Sequence, residues 1–189
     1  MFNLEYIEHA IREMQAKGVQ FSDGLTERDL LAIENKLEGK IPRDLRLFLK
    51  TSVPIALNGE SGQFPRWDEG IEHVIDSSQS FISDLFRSAV EDDLYWSSTL
   101  GERPRDKLEA STYALEYLQS QPKLIPIFAH RYMVIGDDES PVISYYGPLD
   151  SIIYGNDLAD YLHNEFDISR PNWAANHPKT SDFWGELVS

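Results

Sequence analysis

The side chains that could do chemistry in this chain are carboxylates and aromatics. The sequence has 32 Asp plus Glu, nine Tyr and four Trp, but no cysteine. Thiol catalysis, disulfides and Cys-ligated metal sites are therefore excluded. No two histidines stand three to five positions apart, as helical metal ligands would, so we expect no metal site. Phosphate-binding glycine motifs and the Gly-x-Ser-x-Gly elbow are also absent, so nucleotide binding and hydrolase catalysis have no local support, and we expect no cofactor.

The densest acidic cluster is the turn Asp137-Asp138-Glu139. It lacks the alternating oxygen ligands, the central glycine and the distal glutamate of a calcium loop, so we interpret it as a solvated hairpin turn. Carboxylates that act as acid and base need not be close in sequence. An enzyme that assembles them in space, with a divalent metal near His130 or this turn, therefore stays open as a further alternative.

The charge of the chain favours one class of partner. The formal net charge is -15, made up of -2 in residues 1–60, -7 in residues 61–120 and -6 in residues 121–189. This surplus opposes direct binding to nucleic acid or anionic lipid and favours a basic protein. The N-terminus has no basic segment before an apolar run, and no run approaches the ~20 apolar residues that span a bilayer. We expect a cytoplasmic protein that does not enter membranes, with its oligomeric state left open.

The first part of the chain is predicted to be helical. Leu4, Ile7, Ile11 and Met14 recur at helical spacing and predict a helix over residues 3–17. A second helix is predicted from Thr26, whose hydroxyl can cap the amide of Asp29, and a short third helix follows Pro42.

The middle of the chain is less regular. Residues 53–75 are interrupted by prolines and glycines, and we expect short strands and loops there, including Ile71 to Ile75. Residues 78–91 have helical spacing. A helix over residues 105–119 is expected to bury four side chains, namely Leu108, Thr112, Leu115 and Leu118.

The last third has the two-residue period of strands. Apolar runs at residues 124–128, 132–135, 142–146 and 152–154 predict an antiparallel meander, and a final helix is predicted to start at Asn156 as its cap. Neighbours on a strand face opposite ways, so one of Tyr145 and Tyr146 should be outside, with Tyr132 and Tyr161 inside. We predict an α+β fold in which residues 1–189 form a single domain, an antiparallel sheet flanked by helices.

Two parts of the chain resemble a known family. The first is Leu25-Thr26-Glu27 through Glu34, then Ile41-Pro42-Arg43-Asp44 and Leu45 to Leu49. The second is Leu124 to Ile127, His130-Arg131-Tyr132, Pro141 to Ser144 and Asp150 through Phe166. Both resemble the SUKH superfamily, also called the Smi/Knr-like fold. The family's Asn-Gly pair comes later here, at Asn58-Gly59, and residues 76–122 look like a helical insertion.

The resemblance implies a protein that binds and does not catalyse. Bacterial members of the superfamily are mostly immunity proteins that neutralise toxins, commonly nucleases. We therefore expect an immunity protein that occludes a basic polymorphic toxin. The alternative is an intracellular regulatory or scaffold domain of the same fold that binds an endogenous protein. The candidate contact residues are acidic and aromatic side chains of the sheet and its loops: Trp67, Asp68, Glu69, Glu72, Asp137, Asp138, Glu139, Tyr145, Tyr146 and Asp150.

Overall fold

Three helices form the first part of the fold, as predicted. The computed structural model describes residues 2–67, 70–91, 96–136, 139–147, 150–180 and 182–188. Helix α1 is Leu4–Ala16, α2 is Glu27–Lys36 and α3 is Arg43–Thr51. The start of α2 is held by a reciprocal cap, because the Asp29 amide donates to Thr26 Oγ1 while the Thr26 amide donates to Asp29 Oδ2.

A small antiparallel sheet lies beside these helices. Its strands are β1 (Val19–Asp23), β2 (Ser52–Leu57) and β3 (Glu60–Ser61), in the order β1-β2-β3. The sequence analysis did not predict β1, because its five residues are mostly half-buried or exposed and show little apolar alternation. Its hydrogen bonds to β2 make it a strand.

The predicted meander in the last third is confirmed. Strands β4 (Leu124–Phe128), β5 (Arg131–Val134), β6 (Val142–Gly147) and β7 (Asp150–Gly155) form an antiparallel sheet in chain order. The described residues therefore contain two antiparallel sheets, where we expected one. The α+β class is confirmed.

The prediction for Ile71 to Ile75 was wrong. These residues form the first turns of helix α4 (Ile71–Phe86), which continues into a π-helical turn at Arg87–Glu91. Ile71, Val74 and Ile75 fit helical spacing as well as a short strand, and a short apolar run does not separate the two. Gly70, at a φ of 112°, lets the chain enter this helix in a conformation that other residues rarely adopt.

The remaining helices follow. They are a short 3₁₀ helix (Ser98–Leu100), α5 (Lys107–Ser120), α6 (Leu158–Phe166) and α7 (Asp182–Leu187). The cap of α6 is one residue later than predicted, because the Asp160 amide donates to the Asp157 carboxylate at 2.7 Å. Helix α7 was not predicted. Within the described residues, no helix has both the length and the apolar character needed to cross a membrane.

The two faces of the four-stranded sheet pack on different helices. Alternate side chains such as Ile125 and Met133 join the core formed by α1, α2, α3 and α6. The opposite side chains, such as Leu124 and Ile143, pack against α4, α5 and α7. The α4–α5 segment, which overlaps the predicted insertion, thus packs with α7 on one face of the sheet.

The expected inner face of α5 was wrong. Its buried residues are Ala110, Ala114 and Leu118, whereas Leu108 is 77% exposed and Leu115 is 39% exposed. Small side chains let two helices approach closely, and here Ala114 packs against Val90 of the π-helical turn that follows α4. The leucine spacing alone selected the wrong face.

Candidate functional site

The ten predicted contact residues do not form one surface. Asp68, Glu69, Asp137 and Asp138 lie outside the described residues. Trp67 and Tyr145 are 4% and 6% exposed and belong to the core, so their rings are not available at the surface of this structure. The other four, namely Glu72, Glu139, Tyr146 and Asp150, are exposed.

Tyr146 and Asp150 come together on the β6–β7 hairpin. Tyr145 is paired with Ser151 and Gly147 with Asp150, so Tyr146 is the extra residue of a β-bulge. A bulge changes the direction in which a side chain points. Tyr146 is 70% exposed while its neighbour Tyr145 is buried, as we predicted for one member of this pair. Tyr161 is also inside as predicted, and Tyr132 is half-buried.

Two residues that we did not predict as contacts complete this surface. The ring of His130 lies against that of Tyr146, with centroids 3.9 Å apart and planes inclined by 38°. Ile152 pairs with Ser144 and is 54% exposed. We call His130, Tyr146, Asp150 and Ile152 the hairpin patch. The sequence carried no signal for Ile152, because its exposure depends on where neighbouring elements end.

Glu139 lies elsewhere, at a cleft of about 270 Å³ next to the start of α6. The cleft has aromatic walls from Phe2 and Trp173 and carboxylates from Asp44, Glu139 and Asp157. Lys179 pairs with Glu139 at its edge. Arg43 and His177 also line the cleft, so it carries charges of both signs beside its aromatic walls.

The carboxylates of this cleft differ in their surroundings. Asp157 accepts from the amides of Asp160 and Ala175, so its oxygens hold the start of α6 and the chain after it. The Asp44 carboxylate accepts no hydrogen bond within the described part of the chain. Burial raises the pKa of Asp44 to about 6, with smaller contributions from Asp157 and Glu139 that exceed the opposing effect of Arg43.

Neither surface has the composition of a metal site. Over the described ranges, no group of three or more His, Asp or Glu side chains is placed to hold a metal ion. The patch offers the exposed ring of Tyr146, a carboxylate and one apolar side chain, and the cleft offers carboxylates beside buried or half-buried rings. Rings and carboxylates of this kind are typical of surfaces that contact proteins.

Comparisons with known proteins add nothing to the fold described above. No family model matches this chain, and no curated protein or solved structure is significantly similar to it. The α+β class is established, and the Smi/Knr-like fold remains a prediction.

Proposed function

We propose that this protein is a non-catalytic immunity protein that binds and neutralises a basic toxin, namely a nuclease. The exposed Tyr146 ring beside Asp150 on the hairpin patch is the observation that carries this proposal. Exposed tyrosines supply large contact area with few rotatable bonds and are enriched among the residues that dominate binding energy. The resemblance to the SUKH superfamily contributes the choice of a toxin as the partner.

Charge supports the choice of a nuclease. A nuclease has a basic groove for phosphates, and a protein with a net charge of -15 can occupy that groove with carboxylates. Asp150 on the patch and Glu139 at the cleft are exposed carboxylates of this kind. Occlusion requires no turnover, which agrees with a protein for which we predict no catalytic residues.

The first test is genetic and biochemical. The tagged protein is co-expressed with the product of the neighbouring upstream gene, and growth is also measured with that gene alone. We expect the neighbour to kill, and this protein to rescue growth through a complex that survives purification. A harmless neighbour that does not co-purify contradicts the toxin proposal. A stable complex with an endogenous protein favours the regulatory or scaffold alternative.

The second test locates the contact. We expect Tyr146→Ala to raise the dissociation rate at least about tenfold, because a central aromatic anchor is lost. Tyr113→Ala is the matched control, since Tyr113 is a 45% exposed tyrosine on α5, outside the patch. Asp150→Lys should mainly slow association, compared with Asp23→Lys on β1. Surface plasmon resonance separates the two rates. Equal effects of each variant and its control would remove the hairpin patch from the interface.

A further inference from the structure

The exposed ring of Tyr146 contacts His130, and His130 contacts a side chain that extends into the core. The carbonyl of His130 is held by β6, because the Tyr145 amide donates to it at 2.9 Å. The imidazole of His130 in turn contacts the guanidinium of Arg131, the first residue of β5. The patch is therefore connected through two side chains to the interior.

Arg131 is held by three other elements. Its Nη1 donates to Ser144 Oγ on β6 at 3.0 Å, and its Cζ lies 3.9 Å from the centre of the Tyr154 ring on β7. Its Nε is 3.4 Å from Glu165 Oε2 on α6. The Arg131 side chain is 12% exposed. A guanidinium fixed on several sides loses little further freedom when the groups next to it bind a partner.

The contact between Arg131 and His130 brings the guanidinium charge next to the imidazole. A protonated His130 ring would place two cations in contact, which disfavours the charged form of the ring. The groups that face it are Arg131 on β5, Tyr146 on β6, Asp150 on β7 and Glu165 on α6.

The electrostatics agree with this geometry. Burial and the Arg131 guanidinium hold the pKa of His130 below its ordinary value, against the opposing effects of Glu165 and Asp150. Imidazole is therefore uncharged at neutral pH, in the form that this contact favours.

We infer that Arg131 is a positioning residue for partner binding, which acts through His130 to hold the Tyr146 ring in its exposed orientation. The inference rests on the proposed function, because it assigns Tyr146 to the interface. Under this inference, Arg131 contributes to affinity although it is largely buried and does not contact the partner.

The first test uses the free protein and needs no partner. The pKa of His130 is measured by NMR from the ring proton signals in wild type, Arg131→Gln, Arg131→Lys and Arg12→Gln. We expect it to rise in Arg131→Gln, because the charge of Arg131 no longer opposes Glu165 and Asp150, although burial still lowers the pKa. It should stay low in Arg131→Lys, which keeps the charge, and in Arg12→Gln, which removes an exposed arginine of α1. An unchanged value in Arg131→Gln overturns the inference.

The second test asks whether Arg131 acts through Tyr146. We expect Arg131→Gln to raise the dissociation rate of the partner about tenfold in wild type, and to have no further effect in Tyr146→Ala. A purely structural role predicts the same loss in both backgrounds. If Arg131→Gln does not fold, the same cycle is run with Arg131→Lys, which keeps the charge but loses the planar guanidinium that contacts Ser144 and Tyr154, and the same loss of affinity is expected. If no toxin is found, the proposed function fails, and the NMR test still decides the link from Arg131 to His130.

Discussion

At the scale of single residues, Asp44 shows how position in the fold changes the chemistry of a side chain. It stands at the second position of α3, partly buried in the wall of the cleft. Burial and nearby carboxylates raise its pKa from 3.8 to about 6. Between these values the folded protein binds more protons than the unfolded chain, so the contribution of Asp44 to the free energy of unfolding falls as pH rises.

The pH dependence of the contribution of Asp44 leads to a direct prediction. We expect Asp44→Asn to become more stable relative to wild type as pH rises from about 4 to about 6, because the variant does not carry the unfavourable buried charge. Urea unfolding at several pH values measures the difference. Asp23→Asn, on the exposed end of β1, is the control and should follow wild type. Parallel curves for wild type and Asp44→Asn would contradict the assignment.

At the scale of elements, the buried Glu34 joins α2 to α3. Its side chain is 4% exposed and accepts from Lys40 Nζ at 3.1 Å, from Arg46 Nε at 3.2 Å and from the Ile41 amide at 3.3 Å. A buried carboxylate depends on such partners, because the cost of removing it from water is large. The ion pair between Glu34 and Arg46 therefore fixes how α2 and α3 meet, whether or not it adds net stability.

Removing one donor to Glu34 should show how much this buried carboxylate depends on its partners. We expect Arg46→Met to lower the free energy of unfolding by about 3 kcal/mol, since the buried Glu34 carboxylate then has fewer donors. The double variant Glu34→Met/Arg46→Met should recover much of that loss, because it removes the buried carboxylate and, among charged groups, leaves only the exposed Lys40 and Glu27 without these partners. Arg12→Met, on the exposed face of α1, should change little. Urea denaturation measures the free energy of unfolding of all three variants. A double variant that is less stable than Arg46→Met would contradict this explanation.

The contact made by α5 gives a second prediction at this scale. Ala114 is fully buried beside Val90, with Phe86 and Trp96 packed around them. We expect Ala114→Leu to lower the free energy of unfolding by about 2 kcal/mol, because the close approach leaves no room for a larger side chain. Leu115→Lys, at the next position but 39% exposed, should cost much less. Thermal unfolding of the two variants compares the faces directly, and the reverse order would mean that the leucine face is the packed one.

At the scale of the whole molecule, the net charge of -15 should act on association over long distances. We expect the association rate with the basic partner to fall at least about tenfold as salt rises from ~0.01 M to ~1 M, because the screening length shrinks from ~30 Å to ~3 Å. The dissociation rate should change much less. Stopped-flow or surface plasmon resonance measures both, and a salt-independent association rate would show that charge does not guide the encounter.

The sequence by itself determined the elements with strong local signals. The Thr26 hydroxyl cap, the apolar stripe of α1 and the four strands of the meander depend on residues close along the chain, and the structure confirms them, except that Leu4 of the stripe is exposed. The alternation rule also placed one of Tyr145 and Tyr146 outside, because neighbours on a strand face opposite sides. The acidic charge and the missing thiol chemistry follow from composition alone.

Only the tertiary structure decided which faces are buried and which side chains meet. Two alanines and Leu118 pack the inner side of α5, whereas Leu108 and Leu115 are exposed, because distances between helices depend on the partner and not on the spacing within one helix. Trp67 and Tyr145 became core residues because other elements cover them, although their types suit a surface contact equally well. The support of Tyr146 by His130 and Arg131 joins residues from β5, β6, β7 and α6. Such contacts depend on strand register and helix docking, which a local pattern does not contain.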